Sequence, residues 1–196
     1  MVSKSGLLKC SEMDYFIYSE DKYYLANLFL RLGMDYYKPI IGTLGYVMSP
    51  DRDKTLLIHR NARLTDDHLG KYNGLGGKMK KEEDVLSCMS REIEEEAGIK
   101  CCKMVLRGTI NWTGFGKRSE NWLGFIYRID SFEGNPLSSS DEGDLEWHSI
   151  GQLQNLPMWE GDRCFLPMVF DKENNLFHGF MEYSENRFVK WHYSRI

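Results

Sequence analysis

The residues with the clearest chemical potential are acidic and lie in one short segment. Residues 77–99 read GKMKKEEDVLSCMSREIEEEAGI. Side chains three or four residues apart share one face of a helix, so Glu92, Glu95 and Glu96 are expected to crowd one side. Such like-charge pairs destabilise a bare helix by about 0.2–0.5 kcal/mol each. Because Mg²⁺ prefers oxygen ligands such as carboxylates, the cluster predicts a divalent-cation site; a solvated charged face is the alternative.

A helix over about Glu83–Ala97 is needed to position these carboxylates. Apolar residues at helical spacing predict its buried face: Val85, Leu86, Met89, Ile93 and Ala97. The acidic first turn suits the positive end of the helix dipole, and Gly98 stands where a C-cap glycine belongs. Before the helix, Gly76 and Gly77 allow a sharp turn with exposed backbone carbonyls.

The whole segment resembles the Nudix box, G-x5-E-x7-R-E-U-x-E-E-x-G-U, where U is a bulky aliphatic residue. All the specified positions match: Gly77, Glu83, Arg91, Glu92, Ile93, Glu95, Glu96, Gly98 and Ile99. The resemblance implies an α/β protein with the Nudix fold, an α/β/α sandwich built on a mixed β-sheet. It also implies hydrolysis of a nucleoside diphosphate linked to a further group, with Mg²⁺ or Mn²⁺ as cofactor.

The same resemblance implies a role for each polar residue of the box. The metal ligands would be three carboxylates and one backbone carbonyl: Glu92, Glu95, Glu96 and Gly77. One of the three glutamates would serve as general base. Arg91 would orient the glutamates through an ion pair, and Glu83 would assist in the same network. Metal ions suit this chemistry because they neutralise phosphate oxygens and activate water.

Two segments outside the box resemble MutT-type hydrolases of oxidised purine nucleotides. Residues 72–78, YNGLGGK, are similar to a W-N-G-F-G-G-K segment whose Asn contacts the purine, so Asn73 is a candidate for base recognition. Residues 156–162, LPMWEGD, are similar to an M-W-P-D-D segment. Trp159 would then stack on the base, a contact worth about 1–3 kcal/mol, and Asp162 would bond the purine edge. Core packing is the alternative for Trp159.

The second of these segments departs from the family pattern at two positions. Glu160 replaces the Pro, and Gly161 stands where the family has the first of two Asp residues. Specificity for an oxidised base is the property that these differences affect.

Three further residues are candidates for contacts with the metal or the phosphates. Residues 140–147 resemble a loop that carries an additional metal-binding glutamate in this family, which points to Glu142; a solvated loop acid is the alternative. Lys78 and Arg60 are candidates for holding phosphates. Both are equally compatible with solvated surface charges.

The residues after the box favour a nucleoside triphosphate over other Nudix substrates. ADP-ribose hydrolases resemble one another in a Pro beyond the box, and none occurs here between Gly98 and Pro136. Dinucleoside polyphosphate hydrolases often carry a Tyr there, and the first is Tyr127. We therefore predict Mg²⁺-dependent hydrolysis of nucleotides such as 8-oxo-dGTP to a monophosphate and pyrophosphate. The alternatives are a broad-range Nudix pyrophosphohydrolase, acting on ADP-ribose or dinucleoside polyphosphates, and a non-catalytic nucleotide-binding module.

The overall composition is that of a globular chain with a small-molecule substrate. Its 196 residues are 42% hydrophobic and carry a net charge of −4, which argues against disorder and against a nucleic-acid polymer as partner. No stretch reaches the roughly 18 apolar residues that a membrane span requires, and the N-terminus does not resemble a signal peptide. Five irregularly spaced cysteines indicate reduced thiols. We expect a cytoplasmic enzyme and consider a homodimer.

Composition and pattern divide the chain at Pro39 into an N-terminal extension, residues 1–38, and a Nudix domain, residues 39–196. The extension contains a predicted strand at 15–18 and a predicted helix at 21–32, which would pack on the domain or on another subunit. The domain is predicted to contain a helix at 162–171, in addition to the box helix, and strands at 40–48, 55–59, 103–112, 122–129, 177–183 and 188–193.

Overall fold

The computed structural model describes residues 36–173 and 175–196. The strand predicted at 15–18 and the helix predicted at 21–32 lie outside the described residues. The residues from Pro39 to Ile196 form one unit by their contacts. The roles predicted for residues 1–38 stay predictions.

The described residues form one sheet of nine strands. The strands are β1 (Ile40–Met48), β2 (Lys54–His59), β3 (Tyr72–Asn73), β4 (Lys100–Phe115), β5 (Glu120–Glu133), β6 (Ser139–Ser140), β7 (Gly143–Ser149), β8 (Phe177–Ser184) and β9 (Arg187–Arg195). In the same residues lie helices α1 (Val85–Ala97) and α2 (Glu160–Phe170), and a 3₁₀ helix at Ile150–Asn155.

The sheet is mixed because two of its strand pairs run parallel. Its order is β6-β7-β2-β1-β5-β4-β8-β9, with β3 paired to β2. β1 runs parallel to β5, with Ile40 opposite Trp122, and β4 runs parallel to β8, with Gly108 opposite Phe177. Parallel neighbours need a long crossover connection. The first crossover contains α1 and the second contains α2.

Side chains on the two faces of the sheet form two apolar cores. Leu57 belongs to one core, whereas Leu56 and Ile58 belong to the other, as the two-residue period of a strand requires. Ile93 of α1 packs into the core of Leu56, and Phe165 of α2 packs into the core of Leu57. Helices therefore cover both faces, and the predicted α/β/α sandwich with a mixed sheet is confirmed.

Both ends of α1 are fixed by capping residues. The helix begins at Val85 rather than at Glu83, because the Asp84 carboxylate accepts hydrogen bonds from two first-turn N–H groups at 2.8 and 3.0 Å. Gly98 ends the helix with a φ of +67°, the left-handed conformation that costs glycine little. The predicted C-cap is therefore confirmed.

The predicted buried face of α1 is wrong at one position, Leu86. Leu86 is 47% exposed, whereas Met89, Ile93 and Ala97 are fully buried. Leu86 belongs to the first turn, and the buried residues of this helix begin only at Cys88. Periodicity identifies the face of a helix, but the length of that face in contact with the sheet depends on tertiary packing.

The other elements agree with the predicted pattern, except at β7. The strands at β1, β2, β4, β5, β8 and β9 and the helix at α2 are confirmed, with β4 and β5 longer than predicted. The sequence of β7, GDLEWHS, lacks the dense apolar run that marked the other strands, but it pairs with β2 along its length. No helix within the described ranges is long and apolar enough to cross a membrane.

We predict that Asp84→Ala lowers the free energy of unfolding by about 1 kcal/mol, because it removes the N-cap acceptor of α1. Asp84→Asn is the matched control, since Asn caps a helix about as well as Asp. Urea denaturation followed by circular dichroism measures both variants. Equal stability of the Ala and Asn variants would contradict the assigned cap.

Candidate active site

The glycine-rich loop is held against β1 by backbone hydrogen bonds. The N–H of Thr43 donates to the carbonyl of Gly77 at 2.9 Å, and Gly45 and Leu75 exchange two bonds at 2.6 and 2.9 Å. The loop therefore extends the sheet locally instead of lying free on its surface. The Gly77 carbonyl, a predicted metal ligand, already accepts one hydrogen bond and keeps its second lone pair.

Two glycines of this loop have no room for a side chain. Gly76 has a φ of +146°, and a Cβ there would lie 2.1 Å from the carbonyl oxygen of Thr43. A Cβ on Gly77 would lie 2.6 Å from a carboxylate oxygen of Glu92. Glycine at these positions therefore lets the loop pass directly between β1 and the carboxylates of α1.

Arg91 connects three glutamates of the box. Its guanidinium binds both carboxylate oxygens of Glu83, at 2.9 and 2.7 Å, and it donates to Glu92 at 2.8 Å and Glu95 at 3.0 Å. These hydrogen bonds from Arg91 lower the pKa of Glu83 to about 2. The ion pairs that we predicted for Arg91 are thus present, and they fix the directions of two of the predicted metal ligands.

The three glutamates at the end of the box do not share one environment. Glu96 is buried and accepts the N–H of Gly76 at 2.9 Å. Burial and then the nearby charge of Glu142 raise its pKa to about 8. Glu95 has a side chain that is 53% exposed and lies 3.6 Å from Lys80. The three glutamates share one side of the helix as expected, but the loop takes in Glu96 and leaves Glu95 exposed.

Glu142 lies in the turn between β6 and β7, where it meets two arginines. Arg60 pairs with Glu142 and, at 2.7 Å, with Asp66. Arg63 lies 3.4 Å from the other oxygen of Glu142. The charge of Arg60 is therefore balanced by carboxylates of the protein itself. Its predicted contact with phosphates stays a prediction.

A cavity of about 440 Å³ joins these residues to an aromatic wall. One end is polar and is lined by Arg60, Gly76, Gly77, Glu92, Glu96 and Glu142. The other end is lined mainly by aromatic side chains, together with two polar ones: His68, Asn73, Trp112, Phe115, Trp159 and Asp162. The ring of Trp122 also lines the cavity and lies near Gly77, because both approach Gly42. The volume lies in the usual range for small-molecule sites, about 300–1,000 Å³.

The polar end of the cavity has the donor set of a hard divalent cation. Glu92, Glu96 and Glu142 all line it, and the charges of Glu142 and Glu92 both disfavour ionisation of Glu96, a repulsion that a cation relieves. Among the described residues, no three acidic, His or Cys side chains converge in advance, because Arg91 and Arg60 hold Glu92 and Glu142. The carboxylate chemistry fits Mg²⁺, and binding by Glu142 requires its pair with Arg60 to loosen.

Trp159 lies at the aromatic end and is packed from several sides. Its ring centroid is 5.1 Å from that of Phe115 and 6.1 Å from that of Tyr183, both edge-on, and the Lys71 ammonium lies 4.7 Å from it. The residue is 8% exposed and lines the cavity. Core packing and a surface for a base are therefore combined in one side chain.

The surroundings of Asp162 explain both its raised pKa and the presence of glycine at position 161. Burial raises the pKa of Asp162 to about 7, although Arg163 and Lys71 oppose the shift. A Cβ on Gly161 would lie 2.5 Å from the hydroxyl of Tyr183, to which the Gly161 N–H donates at 3.2 Å. An aspartate at position 161 would therefore collide with Tyr183.

Several cavity residues were not identified from the sequence. Trp112 and Trp122 lie opposite each other on β4 and β5, and Lys78 stands 5.0 Å from the ring centroid of Trp122. His68 lies between two of the predicted base contacts, Asn73 and Trp159. The strand register that brings the two tryptophans together could not be read from their spacing. His68 was visible only as an isolated histidine in a polar loop.

Comparison with known proteins agrees with this geometry. The family model described as the NUDIX domain matches residues 39–169, which include β1 to β7, α1, all but the last residue of α2 and the residues that line the cavity. The chain belongs to the Nudix family. It is a Nudix hydrolase.

Individual relatives of this Nudix hydrolase extend the comparison. The uncharacterised Nudix hydrolase YvcI of Bacillus subtilis strain 168 is 36% identical over 67% of this chain and 80% of its own length. The oxidized purine nucleoside triphosphate hydrolase of Danio rerio is 32% identical over 55% of this chain and 67% of its own length. The crystal structure of the MutT protein from Bacillus halodurans superposes with a TM-score of 0.68 and 27% identity, covering 79% of this chain and 97% of that one.

We predict that the free energy of unfolding of Asp162→Asn, compared with that of the unchanged protein at the same pH, is higher at pH 8 than at pH 5. The native carboxyl has a pKa of about 7, against a usual value of 3.8. The folded state therefore holds its proton more tightly, and stability is lost as the pH rises from about 4 through 7. The amide has no proton to lose.

Urea denaturation at the two pH values measures this difference. Glu160→Gln, a change in an exposed carboxylate on the same helical turn, is the control and should show no comparable gain. A difference between Asp162→Asn and the unchanged protein that is constant with pH would show that the carboxyl ionises normally.

Proposed function

We propose that this Nudix hydrolase cleaves purine nucleoside triphosphates to a monophosphate and pyrophosphate, with oxidised purine nucleotides such as 8-oxo-dGTP as its preferred substrates. The observation that carries the proposal is the single cavity that joins Glu92 and Glu96 to Asn73, Trp159 and Asp162. A nucleotide needs both a place for its phosphates near carboxylate-bound metal and an aromatic surface for its base. The cavity offers these at its two ends.

Sequence similarity supports the same substrate class. The relative from Danio rerio carries the name oxidized purine nucleoside triphosphate hydrolase, and so does a mouse relative that is 27% identical over 53% of this chain. The residues that resemble this type outside the box, Asn73, Trp159 and Asp162, are the ones that meet at the aromatic end of the cavity.

We assign the cofactor Mg²⁺, with Mn²⁺ as an alternative, to the polar end of the cavity. Glu92, Glu96 and Glu142 would hold it, with the second lone pair of the Gly77 carbonyl as a further donor. When bound, it neutralises phosphate oxygens and increases the acidity of water. Arg91 keeps the Glu92 carboxylate directed toward Gly77, which fixes one ligand before the substrate arrives.

Near the phosphoanhydride bond that is cleaved, Lys78, Arg60 and Glu95 have different roles. Lys78 lines the cavity beside Gly77, so its ammonium can approach a phosphate, whereas Arg60 is engaged by Glu142 and Asp66. Water attacks phosphorus, its proton passes to a carboxylate, and the phosphoanhydride bond breaks to release pyrophosphate. Glu95 lies outside this wall, and we propose that it acts on the reaction through Arg91.

At the other end, the protein surrounds the base with one stacking surface and two polar groups. Trp159 offers its ring, which is worth about 1–3 kcal/mol per stacked base. Asp162 has a pKa of about 7, so its carboxyl donates a hydrogen bond when protonated and only accepts when ionised. A base whose edge presents a different order of donors and acceptors is therefore held differently on either side of neutral pH.

A substrate panel tests the proposal against a broad-range Nudix pyrophosphohydrolase. The unchanged protein is assayed with Mg²⁺ on 8-oxo-dGTP, dGTP, the other deoxynucleoside triphosphates, ADP-ribose and dinucleoside polyphosphates. We expect the highest kcat/KM for an oxidised purine triphosphate. A higher value for ADP-ribose or a dinucleoside polyphosphate would overturn the assignment. The homodimer and the cytoplasmic location stay predictions.

We predict that Glu96→Gln lowers kcat by about 10²–10⁴-fold and raises the Mg²⁺ concentration needed for half-maximal rate. The change removes a charge from the cavity wall but little volume, so the fold should survive. Glu94→Gln is the matched control, because Glu94 is an exposed residue of the same helix. Steady-state rates across a Mg²⁺ series give both quantities, and near-normal turnover of Glu96→Gln would remove Glu96 from the metal site.

We predict that Trp159→Ala raises KM by about 5- to 150-fold through loss of a stacking surface. Asp162→Asn should change the ratio of kcat/KM between 8-oxo-dGTP and dGTP. The amide always presents an NH₂ donor and a carbonyl acceptor, whereas the carboxyl donates only when it is protonated. Neither change should abolish metal-dependent cleavage. Unchanged KM and nucleotide ratios in folded variants would place the base elsewhere.

A further inference from the structure

His68 occupies a central position at the aromatic end of the cavity, although neither the box nor the proposed chemistry uses it. Its Nδ1 lies 2.7 Å from the Asn73 Nδ2 and 2.9 Å from the Trp159 Nε1. One ring nitrogen therefore contacts two of the three residues that we assign to the base. The loop that carries it is held by a local side-chain hydrogen bond, since the backbone N–H of His68 donates to the Asp66 carboxylate at 2.9 Å.

The chemistry of the indole decides which groups donate in this arrangement. Trp159 Nε1–H can only donate a hydrogen bond, so the Nδ1 of His68 must be its acceptor and carries no proton. Asn73 must then also turn its NH₂ group to Nδ1, and the two donors share the single lone pair of that atom. The opposite orientation of the amide would place the Asn73 carbonyl oxygen against a nitrogen lone pair. Burial, and then the charge of Arg60, lower the pKa of His68, which agrees with an unprotonated Nδ1.

This arrangement leaves a strong acceptor without a partner. Since the amide NH₂ of Asn73 points at His68, the Oδ1 atom turns the other way. It is buried and has no hydrogen-bond partner within the described part of the chain, and Asn73 lines the cavity. A buried acceptor left without a donor is unfavourable. A ligand that brings an N–H group to this atom removes that cost.

We propose that His68 is a positioning residue for substrate selection: it fixes the Asn73 amide so that the site admits bases that present an N–H donor to Oδ1. The inference rests on the proposed function. It adds that selection depends on the direction of an amide, which is set by a residue one step removed from the base. By holding the indole N–H as well, His68 fixes the amide and the stacking ring relative to each other.

Two amide variants of His68 separate this role from a purely structural one. Asn at position 68 can place an oxygen near the former Nδ1, whereas Gln reaches toward the former Nε2. We therefore expect His68→Asn to keep the acceptor and His68→Gln to lose it, although both are polar changes of similar kind. His59→Leu is the control, because His59 stacks on Tyr72 and does not line the cavity.

The kinetic test compares dGTP with the triphosphate of purine deoxyriboside, whose base carries no N–H group. We expect the unchanged protein to prefer dGTP by at least about 10-fold in kcat/KM, since the second base leaves Oδ1 unpaired. His68→Gln should reduce that preference about 10-fold, mainly through KM, and His68→Asn should restore it. In an Asn73→Ala background, His68→Gln should have no further effect.

A second measurement needs no substrate. In the free protein labelled with ¹⁵N, the Trp159 indole N–H signal, assigned with Trp159→Phe, should move in His68→Gln and stay near its place in His68→Asn. If neither the indole signal nor the preference for dGTP responds to His68→Gln, the inference is overturned while the proposed function stands. If the unchanged protein hydrolyses no purine triphosphate, the proposed function fails, and the indole and Asn73 amide signals still decide whether His68 orients both groups.

Discussion

The antiparallel pairing of the glycine-rich loop with β1 is the constraint on which the site depends. The hydrogen bond from Thr43 to the Gly77 carbonyl brings the loop to the sheet, and the missing side chains of Gly76 and Gly77 allow α1 to approach from the other side. Glu96 then meets the Gly76 N–H. Without this pairing, the carboxylates of the box would form an ordinary charged face on a surface helix.

Charge is arranged differently at the two ends of the cavity. At the polar end, guanidinium groups hold acidic side chains in ion pairs, so the negative charge is concentrated and yet partly balanced. At the aromatic end, burial lowers the pKa of His68 and raises the pKa of Asp162, which favours the uncharged form of each side chain. One end therefore suits a cation and phosphates, and the other suits an uncharged base.

Much of the fold and of the box could be predicted from sequence because local rules decide them. The spacing of apolar residues predicted α1 and most strands, Gly98 predicted the end of α1, and nine matching positions identified the box. The exposure of Glu95 and the burial of Glu96 could not be predicted, since they depend on a loop that packs on one side of the helix only. The same holds for Trp112, Trp122 and His68, which meet through strand register and loop packing. Leu86 shows the limit of periodicity, which gives direction but not the extent of contact.

The parallel pairing of β1 with β5 also has a consequence for the order of folding. It joins Ile40 to Trp122 across a long stretch of chain that includes the loop and α1, and closing such a connection is entropically costly. The helix can form its own hydrogen bonds and the local pairs of Arg91 early, but Trp122 reaches the cavity only when this distant pair of strands is in register. A newly made chain therefore has the sequence of a hydrolase well before it has the cavity of one.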